Sequence, residues 1–237
     1  MNFLLSKFSV DFVLGLWQRV PAPVLHNLEK ARVLKKIFWH LNVDGIDGCY
    51  MEFGVAHGHS IRAAEIAIKT TSSKSLGIKK VHRLIFGFDT FESFESNSPL
   101  DRHVTWEGSA FSVPFEKVKS RFKKSSNITL FKVNAVSLVS AGIPIVVQGV
   151  PHGIKASVIL FDMDLYSPTK SALTWSKQYL QKGTFLIFDE YFSFGGDFEK
   201  GEARALHEFL NENPEISIRD YSSYGSGGKI FIVNMPN

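Results

Sequence analysis

The sequence has a single cysteine, Cys49, among its 237 residues. One cysteine has no partner in its own chain, so a disulfide framework is excluded and a reducing, cytoplasmic setting is expected. Cys49 lies inside an apolar, strand-like run, where a thiol behaves as a small buried hydrophobe. No uninterrupted apolar run approaches the ~20 residues of a bilayer span, so no membrane span is expected. The N-terminus is mildly apolar, but Lys7, Asp11 and Arg19 interrupt it. It has neither the long apolar region nor the small-residue cleavage site of a signal peptide. Packing of this segment onto the domain or onto a partner subunit is expected in preference to an interfacial helix. Also missing are a Cys/His cluster of zinc type, the dinucleotide pattern G-x-G-x-x-G, internal repeats and long low-complexity segments. His57 and His59 stand two apart with no further zinc-type ligand nearby, and read as loop residues. The net charge is only +4, with a pI near 9.0. Its basic clusters, Lys79-Lys80 and Lys117 to Lys124, read as solvated helix faces, and no nucleic-acid partner is expected. An anionic substrate fits the charge equally well.

What is present is an ordinary globular composition, 44% hydrophobic and 21% charged. The chain is long enough for one good core. Its most informative stretch is Val158-Ile-Leu-Phe-Asp162-Met-Asp164-Leu-Tyr-Ser167-Pro168. A run apolar on both faces reads as a buried parallel strand, and Ser167-Pro168 reads as a helix start, Ser at the cap and Pro at the first helical position. Phe185-Leu-Ile-Phe-Asp189-Glu190-Tyr191 repeats the pattern of a buried strand ending in acids.

Upstream, Cys49-Tyr-Met-Glu52-Phe-Gly54-Val55-Ala56-His-Gly58-His-Ser60 reads as a short strand, a glycine loop and a helix start. The glycines permit a tight turn and close approach of a ligand. The acid at the strand end suits a ligand with ribose hydroxyls or an ammonium group better than a phosphate. Leu84 to Asp89 is a second strand, whose terminal Asp89 is placed to accept hydrogen bonds from a ribose diol. Residues 97 to 108, with His103 and Trp106, read as a lid or substrate loop. Ile128 to Val133 is a third strand ending at Asn134. Residues 216 to 221 and 229 to 233 read as a closing strand pair.

Strands alternating with helices imply an α/β fold, a doubly wound and mostly parallel sheet with an antiparallel hairpin at its C-terminal edge. Residues 1–48 are expected to form a helical appendage, with apolar positions at Leu25, Leu28, Ala31, Val33, Leu34, Ile37, Phe38 and Leu41. Residues 49–237 form the main domain. The region 1–48, rich in Phe, Leu and Trp, suggests a homodimer. In a parallel sheet Glu52, Asp89, Asp162 and Asp189 all end at one crevice. So many acids need cations, hydroxyls or a metal to satisfy them. Asp162, Asp189 and Glu190 suit a hard cation such as Mg²⁺ or Ca²⁺.

Glu52-Phe-Gly54-Val-Ala-His-Gly58 resembles the cofactor motif of class I S-adenosylmethionine-dependent methyltransferases. More narrowly, Phe86-Gly-Phe-Asp89-Thr-Phe-Glu-Ser, Asp162-Met-Asp164-Leu-Tyr-Ser-Pro-Thr169 and Phe188-Asp189-Glu190-Tyr191 resemble, in order, the macrocin O-methyltransferase family. The resemblance implies a Rossmann-like domain and Mg²⁺-dependent methyl transfer to a hydroxyl of a sugar or glycosylated metabolite. Carried over by position, Glu52, Gly54, Val55, Ala56, Gly58, Ser60, Asp89 and Asn134 would hold S-adenosylmethionine. Asp162 would be metal ligand and base, with Asp189 and Glu190 as the other metal ligands. Glu190 departs from the second Asp of the sugar enzymes. Asp164 reads as orienting the loop around the metal. The competing readings are a metal-dependent methyltransferase of catechol-like phenols and a non-catalytic S-adenosylmethionine-binding module.

Overall fold

The computed structural model describes residues 2–71, 77, 81–92 and 112–236, with side chains from residue 10 onward. His103 and Trp106 lie outside the described residues.

Two helices come first, α1 (Asn2–Trp17) and α2 (Ala22–Val43). The core then alternates: β1 (Cys49–Phe53), α3 (His59–Thr70), β2 (Ile85–Asp89), α4 (Phe115–Arg121) and β3 (Ile128–Lys132). A short 3₁₀ turn, Ala135–Leu138, leads into a two-residue ladder of β4 (Val139–Ser140) with β5 (Ile143–Pro144). There follow β6 (Ala156–Phe161), α5 (Tyr166–Ser176), β7 (Phe185–Phe188), α6 (Gly201–Glu212), β8 (Ser217–Tyr224) and β9 (Gly228–Asn234). The seven-stranded sheet has the order β3-β2-β1-β6-β7-β9-β8. The first five strands are mutually parallel, and β9 runs antiparallel to both β7 and β8. The expected closing hairpin is therefore present, with β9 inserted next to β7 and β8 on the edge. The order reverses between β1 and β6, and it is at such a switch point that open α/β sheets form their ligand crevice.

The buried strands have two distinct faces because successive side chains alternate. On one face, beneath α5 and α6, five phenylalanines form a continuous row. Phe131, Phe88, Phe53, Phe161 and Phe188 stack in that order at centroid separations of 5.0, 4.9, 5.6 and 4.9 Å. The parallel register pairs these same residues across neighbouring strands. The ring spacing thus follows from the strand spacing of about 4.8 Å. The ring of Trp175 from α5 meets Phe53 and Phe88 edge-on. Aromatic pairs of this kind add about 0.5–1.5 kcal/mol each beyond area burial.

The row fixes where the chemistry sits. The residues after the five rings are Lys132, Asp89, Gly54, Asp162 and Asp189, so these positions share one level at the strand ends and point to the opposite side of the sheet from the rings. That side is packed by Val33, Leu34, Ile37, Phe38 and Leu41 of α2 against Ile61, Ala64 and Ile68 of α3 and the strands.

Two local expectations are corrected. Helix α5 begins at Tyr166 with Leu165 at its cap and no side-chain cap bond, so Ser167 is not the cap and Pro168 is the third helical residue. The first four N–H groups of a helix lack intrahelical partners, so a proline is tolerated there as well as at the first position. On α2, Leu28 is 54% exposed and the inward face runs instead through Lys30, Val33, Leu34, Ile37, Phe38 and Leu41.

Candidate active site

The strand β1 ends and the chain turns at Gly54, whose φ is +88°. A Cβ there would lie 1.8 Å from the backbone oxygen of Asp162, so only glycine lets the loop pass this close to the end of β6. The loop continues through two more left-handed residues, Ala56 and Gly58, and Gly58 caps α3. Asp89, at the end of β2, organises this loop. Its Oδ2 accepts from the N–H groups of Val55 and Ala56 at 2.6 and 2.7 Å, and its Oδ1 from Phe91 N–H at 2.6 Å. Amides already satisfied by a carboxylate do not cradle a phosphate.

Glu52 has no exposed surface. Tyr50 Oη donates to its Oε2 at 2.5 Å and Ser60 Oγ donates to its Oε1 at 2.6 Å. Burial pushes its carboxyl up to about 8, against the pull of those two donors. In this arrangement Glu52 ties β1 to Ser60 in the first turn of α3. Asn134 caps the turn after β3, its Oδ1 accepting from Val136 N–H at 2.9 Å.

The acids at the ends of β6 and β7 meet a cation supplied by the protein. Lys30 of α2 is buried, and its Nζ donates to Asp162 Oδ2 at 2.7 Å and to Asp189 Oδ2 at 2.5 Å. His26, one turn earlier, lies 3.0 Å through Nε2 from the same Asp189 oxygen. Ser226 N–H approaches His26 Nδ1 at 3.3 Å, which assigns the ring proton to Nε2 and makes that N–H the donor to Asp189. Tyr224 Oη, from the end of β8, donates to Asp189 Oδ1. The turn after Tyr224 is clamped on α2. Gly225 N–H donates to Glu29 Oε2 at 2.6 Å, and a Cβ at Gly225 would strike the His26 ring.

The two aspartates are therefore unlike. Asp189 is 3% exposed, and although burial alone would raise it, the Lys30 charge and the His26 bond hold it down at about 2. Asp162 is 26% exposed. Burial and the neighbouring Asp189 charge push it up to about 7, with Lys30 opposing. Burial and the surrounding acids raise Glu190 and Glu202 well above the usual range.

Asp162, Asp164 and Glu190 each bring one oxygen into a group whose members lie within 4.8 Å of one another. Asp164 reaches this position through a left-handed backbone, φ +64°, closed by a Leu165 N–H to Met163 carbonyl bond of 2.6 Å. That is a tight γ-type turn, an uncommon geometry found where strain is tolerated for placement. Glu190 Oε2 and Glu202 Oε1 are buried without a hydrogen-bond partner, while Glu202 Oε2 accepts from Glu190 N–H at 3.0 Å. An orphaned buried carboxylate oxygen is costly, and an all-oxygen set of this kind fits a hard divalent cation. Asp189, with Lys30, His26 and Tyr224 on its oxygens, stands apart from that group and meets His26 and Glu190 in a second one.

Sequence reasoning missed Lys30, His26, Tyr224 and Glu202. A signal for the first two existed: positions 26, 30, 33, 34, 37 and 41 share one helical face, so a lysine and a histidine continue the apolar stripe. His57 and His59 have ring centroids 5.9 Å apart and join no metal-type group among the described residues.

No family model matches this sequence, and no curated protein matches it either. Solved structures do match. The calicheamicin methyltransferase CalS11 superposes with a TM-score of 0.60 at 20% identity, covering 85% of this chain and 77% of that one. The O-methyltransferase NovP gives 0.61 at 16% identity, over 85% and 78% of the two chains. A putative O-methyltransferase from Klebsiella pneumoniae gives 0.52 at 13% identity, over 97% and 96%. The chain thus has the Rossmann-like α/β fold of these methyltransferases.

Proposed function

We propose that this protein is an S-adenosylmethionine-dependent O-methyltransferase that acts, with Mg²⁺, on a hydroxyl of a sugar or sugar-bearing metabolite. The observation that carries the reading is the pairing, across one crevice, of a carboxylate-ordered glycine loop with an acid cluster that retains an orphaned oxygen. The names of the structural relatives support it: NovP is called an O-methyltransferase, and CalS11 is described in a second structure as a TDP-rhamnose 3'-O-methyltransferase.

The cofactor would lie over Gly54, Val55, Ala56 and Gly58, with Asp89 and Asn134 at the crevice rim. Glu52 would act through Ser60. The loop amides are taken by Asp89, so the loop favours a ligand carrying hydroxyls and positive charge over one carrying phosphate at this point. Asp162, Asp164 and Glu190 would hold Mg²⁺, which refines the expected trio by exchanging Asp189 for Asp164. A cation held there would supply the Lewis acidity that lowers the pKa of an acceptor hydroxyl.

The chain's own residues supply the rest. Asp162, 26% exposed at the end of β6, would accept the hydroxyl proton. Lys30 fixes Asp162 by its Oδ2, while His26 and Tyr224 fix Asp189, so the acids are pre-aligned before substrate arrives.

The test is transfer of labelled methyl from S-adenosylmethionine to a panel of nucleotide sugars, glycosides and catechols, with Mg²⁺ or with chelator. Transfer to a sugar acceptor that chelator abolishes and Asp162→Asn suppresses supports the proposal. Transfer confined to catechols would move the assignment to phenols. Unchanged turnover by Asp162→Asn would remove the base.

A further inference from the structure

We propose that the N-terminal helices form a docking face for an anionic lipid surface. Three observations converge on α1 and the outward face of α2. The first is α1 itself. Its sequence, NFLLSKFSVDFVLGLW, carries only two charges and is apolar nearly all round. A helix of that kind is normally buried in a core or in a membrane. Here Phe12 is 64% exposed and Trp17 47%, and Val10, Val13, Leu14 and Leu16 are exposed with them. No helix among the described residues is long and apolar enough to cross a membrane, so α1 would lie on a surface.

The second observation is an exposed apolar stripe on α2. Val24, Leu28, Trp39 and Val43 are all exposed and share one stripe at helical spacing. Arg32, Lys35 and Lys36 sit in the middle of that same stripe. They line a shallow cavity of about 660 Å³ with Trp39, Val43 and Tyr221. Among the described residues none of these three cations is in an ion pair. Asp44, in the same lining, lies 2.9 Å from His40, and Glu29 accepts from Gly225 N–H, so three cations face one acid in this cavity.

The third observation is the charge itself, which decides between occupants. A two-fold contact of this face with a second copy would set Arg32, Lys35 and Lys36 against the same three cations, with Asp44 the one acid lining their cavity. A nucleic acid would satisfy the cations and leave the aliphatic side chains of α1 in water. An anionic bilayer satisfies both. Its headgroups meet the Lys and Arg side chains, the interface takes Trp17 and Trp39, and the acyl boundary takes Phe12 and the aliphatic residues. The face is independent of the catalytic reading and stands or falls separately from it.

The experiment is flotation of the full chain with vesicles of phosphatidylglycerol and phosphatidylcholine in equal parts, and with vesicles of phosphatidylcholine alone. The protein is expected to float with the anionic vesicles and not with the neutral ones. The triple substitution Arg32→Gln, Lys35→Gln, Lys36→Gln is expected to weaken binding on the order of 100-fold, from about 1 kcal/mol per basic residue at such a surface. Phe12→Ser with Trp17→Ser should abolish it. Cooperative thermal unfolding of each variant guards against misfolding, because all five side chains are exposed. Absence of flotation with anionic vesicles would overturn the proposal. So would equal binding by the triple variant. Concentration-dependent dimerisation lost in Phe12→Ser, without vesicle binding, would assign the face to a second copy instead.

Discussion

Replacing Lys30 by methionine is the sharpest perturbation of the site's electrostatics. The ammonium lies 2.7 Å from Asp162 and 2.5 Å from Asp189. At an effective dielectric of about 20, each contact is worth roughly 6 kcal/mol before desolvation is subtracted. Removing one partner of a buried pair typically costs about 3–5 kcal/mol. His26 and Tyr224 would still donate to Asp189, so the lower end, about 3 kcal/mol, is expected near neutral pH. The pH dependence has a definite sign. Asp189 is held at about 2, below its ordinary value, so its stabilising contribution is present above the unfolded pKa and is lost only as pH falls through about 2. Lys30 is shifted upward, so its contribution is fully present at any pH below its unfolded value. Without Lys30 the two carboxylates repel, and the cheapest relief is protonation of one. The destabilisation should therefore be smaller at about pH 5 than at about pH 8. Urea unfolding of both proteins at the two pH values measures this. A loss below about 1 kcal/mol, or one independent of pH, would refute the reasoning.

Glu52 gives a second pH prediction. With its carboxyl raised to about 8, the folded state holds a proton that the unfolded state has released, so stability falls as pH rises from the unfolded value through about 8. Glu52→Gln should flatten that slope by about 1.4 kcal/mol per pH unit within the window, read by denaturation at several pH values. Phe53→Ala removes the centre of the phenylalanine row and should cost about 3–5 kcal/mol by thermal or denaturant unfolding. Mn²⁺ binding followed by electron paramagnetic resonance tests the metal set: Asp164→Asn should weaken it by at least about tenfold, in line with loss of a metal-site group, whereas Asp189→Asn should change it less. Equal losses would restore Asp189 as a ligand.

The sheet was legible because its signals are local. Val158 to Phe161 and Phe185 to Phe188 are apolar on both faces, which only a covered parallel strand needs, and each ends at an acid. The glycine loop was legible for a similar reason: Gly54 must be glycine because the backbone of Asp162 lies against it. The partners of the acids were not legible, because His26 and Lys30 come from 132 to 163 residues away and Tyr224 from 35 residues away. Lys30 reads as a solvated charge until α2 is docked against the strand ends, and Tyr224 reads as loop until β8 is seen to extend to it. The same distance separates the metal set expected from the sequence, with Asp189, from the proposed one, with Asp164. Spacing alone puts acids at Asp162, Asp164, Asp189 and Glu190. It cannot tell which of them a lysine, a histidine and a tyrosine have already engaged. Asp164 also departs from strand geometry at a left-handed turn, which no propensity announces.

The central claim is that the crevice between the glycine loop and the acid cluster binds an S-adenosyl nucleoside. Calorimetric titration of S-adenosylhomocysteine into the full chain tests it most directly. The account predicts saturable binding at one site per chain, lost when Gly54→Val drives a side chain into the backbone of Asp162 and retained in Asp164→Asn. No binding by a protein that unfolds cooperatively would contradict it.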